Sequence, residues 1–332
     1  MYLGGHNNER MFRYKGVDDM NKENIKRIHG FTLIELLIVM GMLGVVMTAV
    51  YSLYAVQSRT AIAQDELVEV QQNLRIAMDE ISRDIKMSGF LLPVDPACST
   101  VAVPQPLTPV RLNSVFNNAG LVASDAMTLN IASAAGQYAR INQKITSGAS
   151  TVFVVDSAES VDRFVNVNFV RIVRVQTLVE PSPGLMAVTG TNRAALTITV
   201  TTNPGVTYMQ SDVIIGTSSG VRPDTIQYCV ASSTQAGVCP APIASCPANQ
   251  NCIVKVVNGT ANLLATNIKD LQFAYLLKDN TEVNSPPDLR QVRAIRVTIS
   301  GETVATNTAT REVRKRQMMS VVKMRNETQE CI

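Results

Sequence analysis

One stretch of the sequence decides the fold: Gly30-Phe31-Thr32-Leu33-Ile34-Glu35-Leu36-Leu37-Ile38-Val39-Met40. It opens an apolar run in which Glu35 is the one formally charged residue between Phe31 and Gln57. A helix needs about 20 consecutive apolar residues to span a bilayer. The run therefore predicts a membrane-spanning helix near the N-terminus.

Glu35 lies inside this apolar run, where a carboxylate is unfavourable by roughly 2.5–3.5 kcal/mol. A shallow position near the membrane interface would reduce that penalty. Alternatively, cleavage between Gly30 and Phe31 would create an α-amino group four residues before Glu35, and such an amine is mostly protonated at neutral pH. Glu35 could then pair with the amine of a neighbouring helix, which would fix the axial register of two subunits.

The residues around this position resemble the processing site of type IV prepilins and type II secretion pseudopilins. The resemblance rests on Lys26-Arg27-Ile28-His29-Gly30-Phe31-Thr32-Leu33-Ile34-Glu35. In that family a prepilin peptidase cleaves after the glycine and methylates the new N-terminal phenylalanine, and the glutamate takes part in subunit docking. The resemblance implies cleavage between Gly30 and Phe31, N-methylation of Phe31 and a docking role for Glu35.

Residues 1–30 are predicted to be a cytoplasmic leader peptide that is removed. The basic residues Lys26 and Arg27 precede the apolar run, so the positive-inside rule keeps the leader in the cytoplasm and places the rest of the chain across the inner membrane. The apolar run follows the cleavage site and is retained, unlike that of a secretory signal peptide. The leader is long for the family, and three methionines are alternative starts: Met1, Met11 and Met20.

The helix is expected to span the membrane or filament core over residues 31–57 and to continue as an amphipathic helix over 58–88. Apolar residues recur there at spacings of three or four and form one stripe: Val70, Leu74, Ala77 or Met78, Ile81 and Ile85. The charged residues, Asp84 among them, are expected largely on the other faces. Ser88-Gly89 predicts the helix end. The stripe is expected to pack on a globular domain, with a coiled-coil partner as the alternative.

Residues 89–332 are predicted to form a β-rich periplasmic domain. The proline-rich residues 93–110 predict a loop, and alternation within 165–175 favours a half-buried strand. Runs rich in Val, Ile, Thr and Phe predict the strands: Thr151–Asp156, Phe164–Leu178, Ala195–Thr202, Val213–Ile215, Thr225–Val230, Cys252–Val257, Leu271–Leu277, Val292–Ser300 and Met318–Arg325. The predicted fold class is α+β and pilin-like, with a long N-terminal helix packed on an antiparallel β-rich domain.

All six cysteines follow the apolar run: Cys98, Cys229, Cys239, Cys246, Cys252 and Cys331. An even number in a large exported domain favours disulfides, with free or metal-bound thiols as the alternative. A zinc site would more often show a C-x-x-C pair, and the chain has none. Residues 229–252 are therefore expected to form a disulfide loop with local pairs, and the simplest remaining pair joins Cys98 to Cys331.

The composition argues against an enzyme. Both histidines, His6 and His29, lie in the predicted leader, which excludes a Ser-His-Asp or Cys-His pair and any His-ligated metal site in the processed chain. No residue spacing points to carboxylate or Ser-Lys chemistry. No cofactor and no metal are expected.

The formal net charge of +3 gives no strong overall field that would indicate nucleic-acid binding. One basic cluster lies near the C-terminus: Arg311, Arg314, Lys315, Arg316, Lys323 and Arg325. Clustered basic residues can bind phosphates, but this cluster contains an acidic residue and no aromatic residue for base stacking. A solvated rim or a subunit contact is therefore favoured over a DNA site.

Further segments resemble the PilW family of minor type IV pilins, namely Gln71–Phe90 and Ser320–Asn326. Leu271–Tyr275 and Val292–Val297 resemble both this family and the J-type minor pseudopilins of type II secretion. No resemblance covers the middle of the chain. The resemblance implies a structural protein that primes pilus assembly in the inner membrane and then lies at or near the pilus tip on the cell surface. The implied partners are prepilin peptidase, other minor and major pilins and inner-membrane lipid. A J-type secretion pseudopilin and a tip-located adhesin or DNA-binding module are the alternatives.

Overall fold

The computed structural model describes residues 31–92, 107–114, 124–181, 184–202, 204–217, 224–234, 239–240, 242–286, 289–303 and 313–325. The chain divides into two compact units at Ser58 and Arg59. Several residues singled out in the sequence lie outside the described residues: Lys26, Arg27, Gly30, Cys98, Arg311 and Cys331.

The described part of the N-terminal unit, residues 31–58, is helical from Leu33 onward. Helix α1 begins at Leu33, ends at Met87 and contributes to both units. Its most apolar 18-residue window has a mean hydropathy of 2.4, and none of that window is buried. Among the described helices, α1 is the one that is long and apolar enough to cross a membrane, judged by length and composition.

The part of α1 in the C-terminal unit buries the predicted apolar stripe. Val70, Leu74, Ala77, Met78, Ile81 and Ile85 are all buried. The helix ends at Met87, as Ser88-Gly89 predicted, and Gly89 adopts a φ of +78°. Glycine is favoured in this left-handed conformation just after a helix.

The C-terminal unit is rich in antiparallel strands. They are β1 Leu107–Ser114, β2 Ser124–Ile131, β3 Tyr138–Arg140, β4 Ile145–Thr146, β5 Ser150–Val154, β6 Phe169–Val173, β7 Met186–Asn192, β8 Thr197–Thr201, β9 Thr207–Tyr208, β10 Val213–Thr217, β11 Asp224–Ser232, β12 Asn251–Val257, β13 Thr260–Ala265, β14 Ile268–Leu277, β15 Glu282–Val283, β16 Val292–Glu302 and β17 Lys315–Lys323. A short helix, α2, spans Ala158–Asp162, and a 3-10 turn spans Leu289–Gln291. The α+β, pilin-like fold class predicted from the sequence is confirmed.

The main core joins α1 to two sheets. A five-stranded sheet has the order β1-β2-β11-β12-β13, and a four-stranded sheet has the order β15-β14-β16-β17. Residues of both sheets enclose the apolar stripe of α1, for example Tyr228 of β11 and Ile295 of β16. The helix residues from Val70 to Ile85 therefore belong to the core of the C-terminal unit. The apolar stripe packs on the β domain, as expected, and is not a coiled-coil face.

The described residues between β2 and β11, from 132 to 217, form an inserted lobe. These two strands are neighbours, and Ile131 at the end of β2 pairs with Asp224 at the start of β11. The lobe has its own six-stranded sheet, of order β3-β10-β6-β7-β8-β5, and a small sheet of β4 and β9. Its separate core includes Phe153, Phe164 and Tyr208. The chain thus leaves and rejoins the five-stranded sheet at two facing residues.

Buried polar contacts fix the base of the inserted lobe. Arg171 of β6 is 1% exposed, lies 3.1 Å from Glu180 and donates to the carbonyl oxygen of Leu91 at 3.3 Å. The carboxylate of Asp224 accepts hydrogen bonds from the Ala134 amide at 2.8 Å and from the Asn258 side chain at 3.0 Å. Burial raises the pKa of Asp224 above its usual value. The hydrogen bonds of Arg171 to the Leu91 carbonyl and of the Ala134 amide to Asp224 therefore tie the lobe to the rest of its unit.

Two sequence predictions are corrected by the structure. The strand predicted over Phe164–Leu178 is confined to Phe169–Val173. The residues before it include α2, whose N-cap Ser157 accepts a hydrogen bond from the Ser160 amide at 3.2 Å. Four of the five residues of β6 are buried, so the expected half-exposed alternation is also wrong there.

The loop predicted over residues 93–110 is wrong at its end, because β1 begins at Leu107 and includes Pro109. Strand β1 lies at the edge of its sheet, where proline is tolerated because an edge strand has unpaired amide positions. Asp84 was expected on an exposed face of α1, but it is buried in contact with β11 and β12.

Candidate processing and docking segment

Thr32 directly precedes helix α1 and is the second residue after the predicted cleavage junction. Its side-chain oxygen accepts a hydrogen bond from the Glu35 amide at 3.3 Å, and its carbonyl oxygen accepts from the Glu35 and Leu36 amides at 3.1 and 3.2 Å. This is N-terminal capping, and Thr-x-x-Glu is the residue pattern of a capping box. The sequence analysis missed the role of Thr32, although this spacing was visible.

Glu35 lies exposed in the first turn of α1. A carboxylate there is favoured by the positive end of the helix dipole. Residues 31–58 contain no cationic side chain, and within them the structure shows no hydrogen bond or ion pair to the Glu35 carboxylate. A cationic side chain that pairs with Glu35 must therefore come from outside this segment.

The rest of the N-terminal unit presents apolar side chains on every face of the helix. Leu33, Leu37, Val45 and Leu53 are all more than half exposed. Soluble monomers rarely expose contiguous apolar patches larger than about a few hundred Å². This surface therefore requires lipid or other apolar helices around it.

Polar groups within this apolar segment are satisfied by the helix itself. Thr48 Oγ1 donates to the Gly44 carbonyl at 2.8 Å, and Ser52 Oγ donates to the Ala49 carbonyl at 2.8 Å. Such internal hydrogen bonds allow hydroxyl groups to enter an apolar medium. A shallow groove of about 690 Å³ runs along this face and includes Gly41 and Gly44.

The C-terminal unit holds its part of α1 by a largely buried ionic cluster, which we call the helix lock: Glu80, Asp84, Tyr228 and Lys255. Asp84 and Tyr228 are buried, and Glu80 and Lys255 are partly exposed. Lys255 Nζ lies 2.6 Å from Glu80 Oε1 and 2.6 Å from Asp84 Oδ2. The Tyr228 hydroxyl donates to Asp84 Oδ2 at 2.6 Å. Burial, followed by the charge of Asp84, raises the pKa of Tyr228 far above its usual value. These contacts fix both the rotation and the axial position of this part of α1 on β11 and β12.

Two disulfides close the segment at 229–252. Cys229 is bonded to Cys239, and Cys246 is bonded to Cys252. The four half-cystines are buried in a small core with Ile243. Among the described residues, no group of His, Cys, Asp and Glu side chains could hold a metal ion.

The basic cluster near the C-terminus lies on and beside an exposed strand. Arg314, Lys315, Arg316, Lys323 and Arg325 are exposed, on or next to β17. The neighbouring Lys269 amine lowers the pKa of Lys315, while Lys269 itself lies 3.2 Å from Glu302. The described cluster is thus partly neutralised at one end of β17.

The comparison with protein families identifies the N-terminal segment. A family model described as the prokaryotic N-terminal methylation motif matches residues 25–51. The chain carries a prepilin-type methylation motif. With its apolar helix and antiparallel β domain, it is similar to type IV pilins and pseudopilins, which implies processing by prepilin peptidase, contacts between pilin subunits and membrane anchoring. Neither a curated protein nor a solved structure gives a significant match to the chain.

Proposed function

We propose that the chain is a minor type IV pilin of the PilW type, which primes pilus assembly in the inner membrane and is incorporated at or near the pilus tip. The observation that carries the proposal is the match of residues 25–51 to the prokaryotic N-terminal methylation motif. The exposed apolar helix that follows, with Glu35 as its one charge, supports the proposal. The role is structural, and no catalytic step is assigned to the chain.

Processing is the first step. Prepilin peptidase cleaves after Gly30, removes the leader 1–30 with Lys26 and Arg27, and methylates the amine of Phe31. The capping bond from Thr32 keeps the first helical turn formed beside the new N-terminus. Residues 31–57 then form the membrane and filament-core helix, residues 58–88 continue it, and residues 89–332 form the periplasmic domain.

Docking is the second step. The carboxylate of Glu35 pairs with the protonated amine of Phe31 in a neighbouring subunit. Because an unpaired charge is unfavourable in an apolar medium by about 2.5–3.5 kcal/mol, an offset of even one helical turn between subunits would be disfavoured. The pair thereby sets the axial register within the filament.

The first test is the intact mass and N-terminal sequence of the protein recovered from membranes. We expect loss of residues 1–30 and a methyl group on Phe31. A Gly30→Val variant is expected to remain uncut, and Thr48→Val, within the same helix, is the matched control that is expected to be cut normally. An unmodified N-terminus that retains the leader would contradict the proposal.

The second test separates a pilus from a secretion system. Deletion of the protein is expected to reduce the yield of surface pili sheared from cells by about tenfold or more, since each priming contact of about 1.4 kcal/mol changes an equilibrium tenfold. Export of folded enzymes is expected to stay unchanged. The reverse pattern would assign the chain to the pseudopilins instead.

A further inference from the structure

Strand β17 has an open edge. It is the last strand of the order β15-β14-β16-β17, and no strand among the described residues pairs with its outer side. The Met324 amide donates to the Arg293 carbonyl at 3.1 Å, and the Thr303 amide donates to the Arg314 carbonyl at 3.0 Å. Because backbone groups in an antiparallel strand alternate in direction, the even-numbered residues face β16. The N–H and C=O groups of Gln317, Met319, Val321 and Lys323 therefore face outward.

The central part of this edge, residues 317–322, lacks the features that usually protect an edge strand. Protective features are charged residues, proline, bulges or a short length. Residues 317–322 are uncharged and contain no proline, and the register between β16 and β17 runs without a shift from Lys315 to Lys323. The side chains of Met319 and Val321 are each 59% exposed. By contrast, the edge strand β1 contains Pro109, and the edge strand β15 has two residues.

A groove runs beside the same edge. It has a volume of about 440 Å³ and lies between Ser82 and Lys86 of α1 and residues 320–325. Its lining contains three cations, Lys86, Lys323 and Arg325, and no acidic residue. An added strand would therefore meet open backbone groups along its length and positive charge at its end.

We propose that the edge of β17 accepts an extended, acidic segment of a different subunit as an added β-strand. Main-chain hydrogen bonds to Met319 and Val321 would hold the segment, and its carboxylates would lie near Lys86, Lys323 and Arg325. The inference goes beyond the proposed function, because the edge would take such a strand in either a pilus or a secretion complex.

A second copy of the chain does not fit this site. Pairing β17 with itself would bring Lys315, Arg316 and Lys323 of one copy close to the same residues of the other, and like charges opposite each other are destabilising. Among the described edge strands, β1, β3, β5 and β13 contain no acidic residue, and β15, which carries Glu282, has two residues and is too short to add along β17. The partner is therefore a different chain whose strand carries Asp or Glu.

The test uses the full-length protein in detergent micelles and two synthetic acetylated peptides. The probe is Glu-Thr-Val-Thr-Val-Thr-Glu, and its control has lysine in place of both glutamates. Binding is measured by fluorescence anisotropy, and protection of the Met319 and Val321 amides by hydrogen exchange. We expect the acidic peptide to bind and to protect both amides, and the basic peptide to bind at least about tenfold more weakly, since each charge contact contributes on the order of 1 kcal/mol.

Matched variants separate strand addition from surface attraction. Met319→Pro removes an outward N–H, whereas Met319→Thr keeps it, so only the proline variant is expected to lose binding, by about tenfold for a hydrogen bond of about 1–1.5 kcal/mol. Lys86→Glu changes an exposed helix residue outside the sheet and is expected to weaken binding while leaving the circular dichroism spectrum unchanged. This second variant keeps the test valid if the proline variant fails to fold.

Three outcomes would overturn the proposal. The first is equal binding by the proline and threonine variants, which indicates attraction without strand pairing. The second is equal binding of the acidic and basic peptides. The third is full protection of the Met319 and Val321 amides in the free protein, if deletion of residues 326–332 abolishes that protection. This result would show that the chain's own C-terminal segment pairs with the edge.

Discussion

The two parts of helix α1 differ in what surrounds them, although one regular helix runs from Leu33 to Met87. Residues 33–58 are apolar on all faces and almost wholly exposed. Residues 59–87 are mostly polar, and their single apolar stripe is buried against the two sheets. Helix formation therefore does not distinguish the parts. The first part needs an apolar environment outside its own chain. The second part packs its apolar stripe on the sheets of its own chain.

The two parts of the helix also differ in the surroundings of one carboxylate each, Glu35 in the first part and Asp84 in the second. Asp84 is satisfied inside the C-terminal unit, where Lys255 and Tyr228 contact it. Glu35 finds no cation within residues 31–58. A buried charge is retained when it is paired and hydrogen-bonded. The contacts of Asp84 therefore lie within the fold, whereas the pair proposed for Glu35 would form between subunits.

The largest expected effect comes from the buried stripe. Ile81→Ala should lower the free energy of unfolding of the C-terminal unit by about 4 kcal/mol, because it leaves a cavity in the main core. Leu37→Ala removes a similar side chain from the exposed part and should leave that free energy unchanged. Urea unfolding of the full chain in detergent, followed by circular dichroism, measures both. Equal losses in the free energy of unfolding for the two variants would contradict the claim that only the second part of the helix belongs to the core.

The helix lock should give the next largest effect. Asp84→Ala leaves the amine of Lys255 with Glu80 as its one remaining carboxylate, and we expect a loss of about 3 kcal/mol in the free energy of unfolding. Asp84→Asn keeps a hydrogen-bond acceptor for Tyr228 and should lose less. The same urea measurement applies. Exposed ion pairs usually contribute at most about 1 kcal/mol. If Asp84→Ala lowers the free energy of unfolding by less than that, the helix lock does not hold the helix.

Glu35 should matter for assembly and not for folding. Glu35→Ala leaves the amine of Phe31 unpaired, and we expect the yield of assembled pili to fall by about a hundredfold, equivalent to roughly 2.7 kcal/mol per docking contact. Cleavage after Gly30 and unfolding of the C-terminal unit should both be unchanged. Electron microscopy of sheared pili and intact mass measure the two properties. Normal piliation in this variant would remove the docking role of Glu35.

The smallest effect is a pH dependence that belongs to Tyr228. Its pKa is raised in the folded state, so above about pH 10 the unfolded chain releases this proton while the folded chain keeps it. Stability should therefore fall as the pH rises above about 10, by about 1.4 kcal/mol per pH unit for this group. Tyr138, whose pKa is raised to about 12 by burial, adds a similar slope until about pH 12.

Tyr228→Phe should remove the first of these slopes and lower the free energy of unfolding at neutral pH by about 1.5 kcal/mol, through loss of the hydrogen bond to Asp84. Tyr51→Phe alters an exposed residue of the N-terminal unit and should leave the slope unchanged. Urea unfolding from pH 8 to pH 11.5 tests both. An unchanged alkaline slope in Tyr228→Phe would assign the titration to other groups.

Local sequence patterns predicted the helix, its end and its buried stripe. The spacing of Val70, Leu74 and Ile81 and the Ser88-Gly89 helix stop each involve residues that are close in sequence. They also predicted most strand positions. They failed where distant contacts decide. Asp84 resembles any exposed helix carboxylate until Lys255, far along the chain, is placed beside it.

The inserted lobe shows the same limit. Arg171 lies within residues 165–175, where alternation predicts a half-buried strand, yet contacts with Glu180 and the Leu91 carbonyl allow it to be buried. Pro109 argued against a strand, and only the edge position of β1 permits one. At the candidate site, the spacing of Thr32 and Glu35 could have predicted the helix cap. The open edge of β17 could not be predicted, because it depends on the order of the strands in the sheet.

The facing ends of the inserted lobe have a consequence for how such a chain can change over time. Because Ile131 and Asp224 are paired neighbours, residues can be added to or lost from the lobe without altering the register of β2 on β11. The residues that match the prokaryotic N-terminal methylation motif, 25–51, lie outside the lobe. The lobe can thus change in length while the helix and the two flanking sheets keep their geometry.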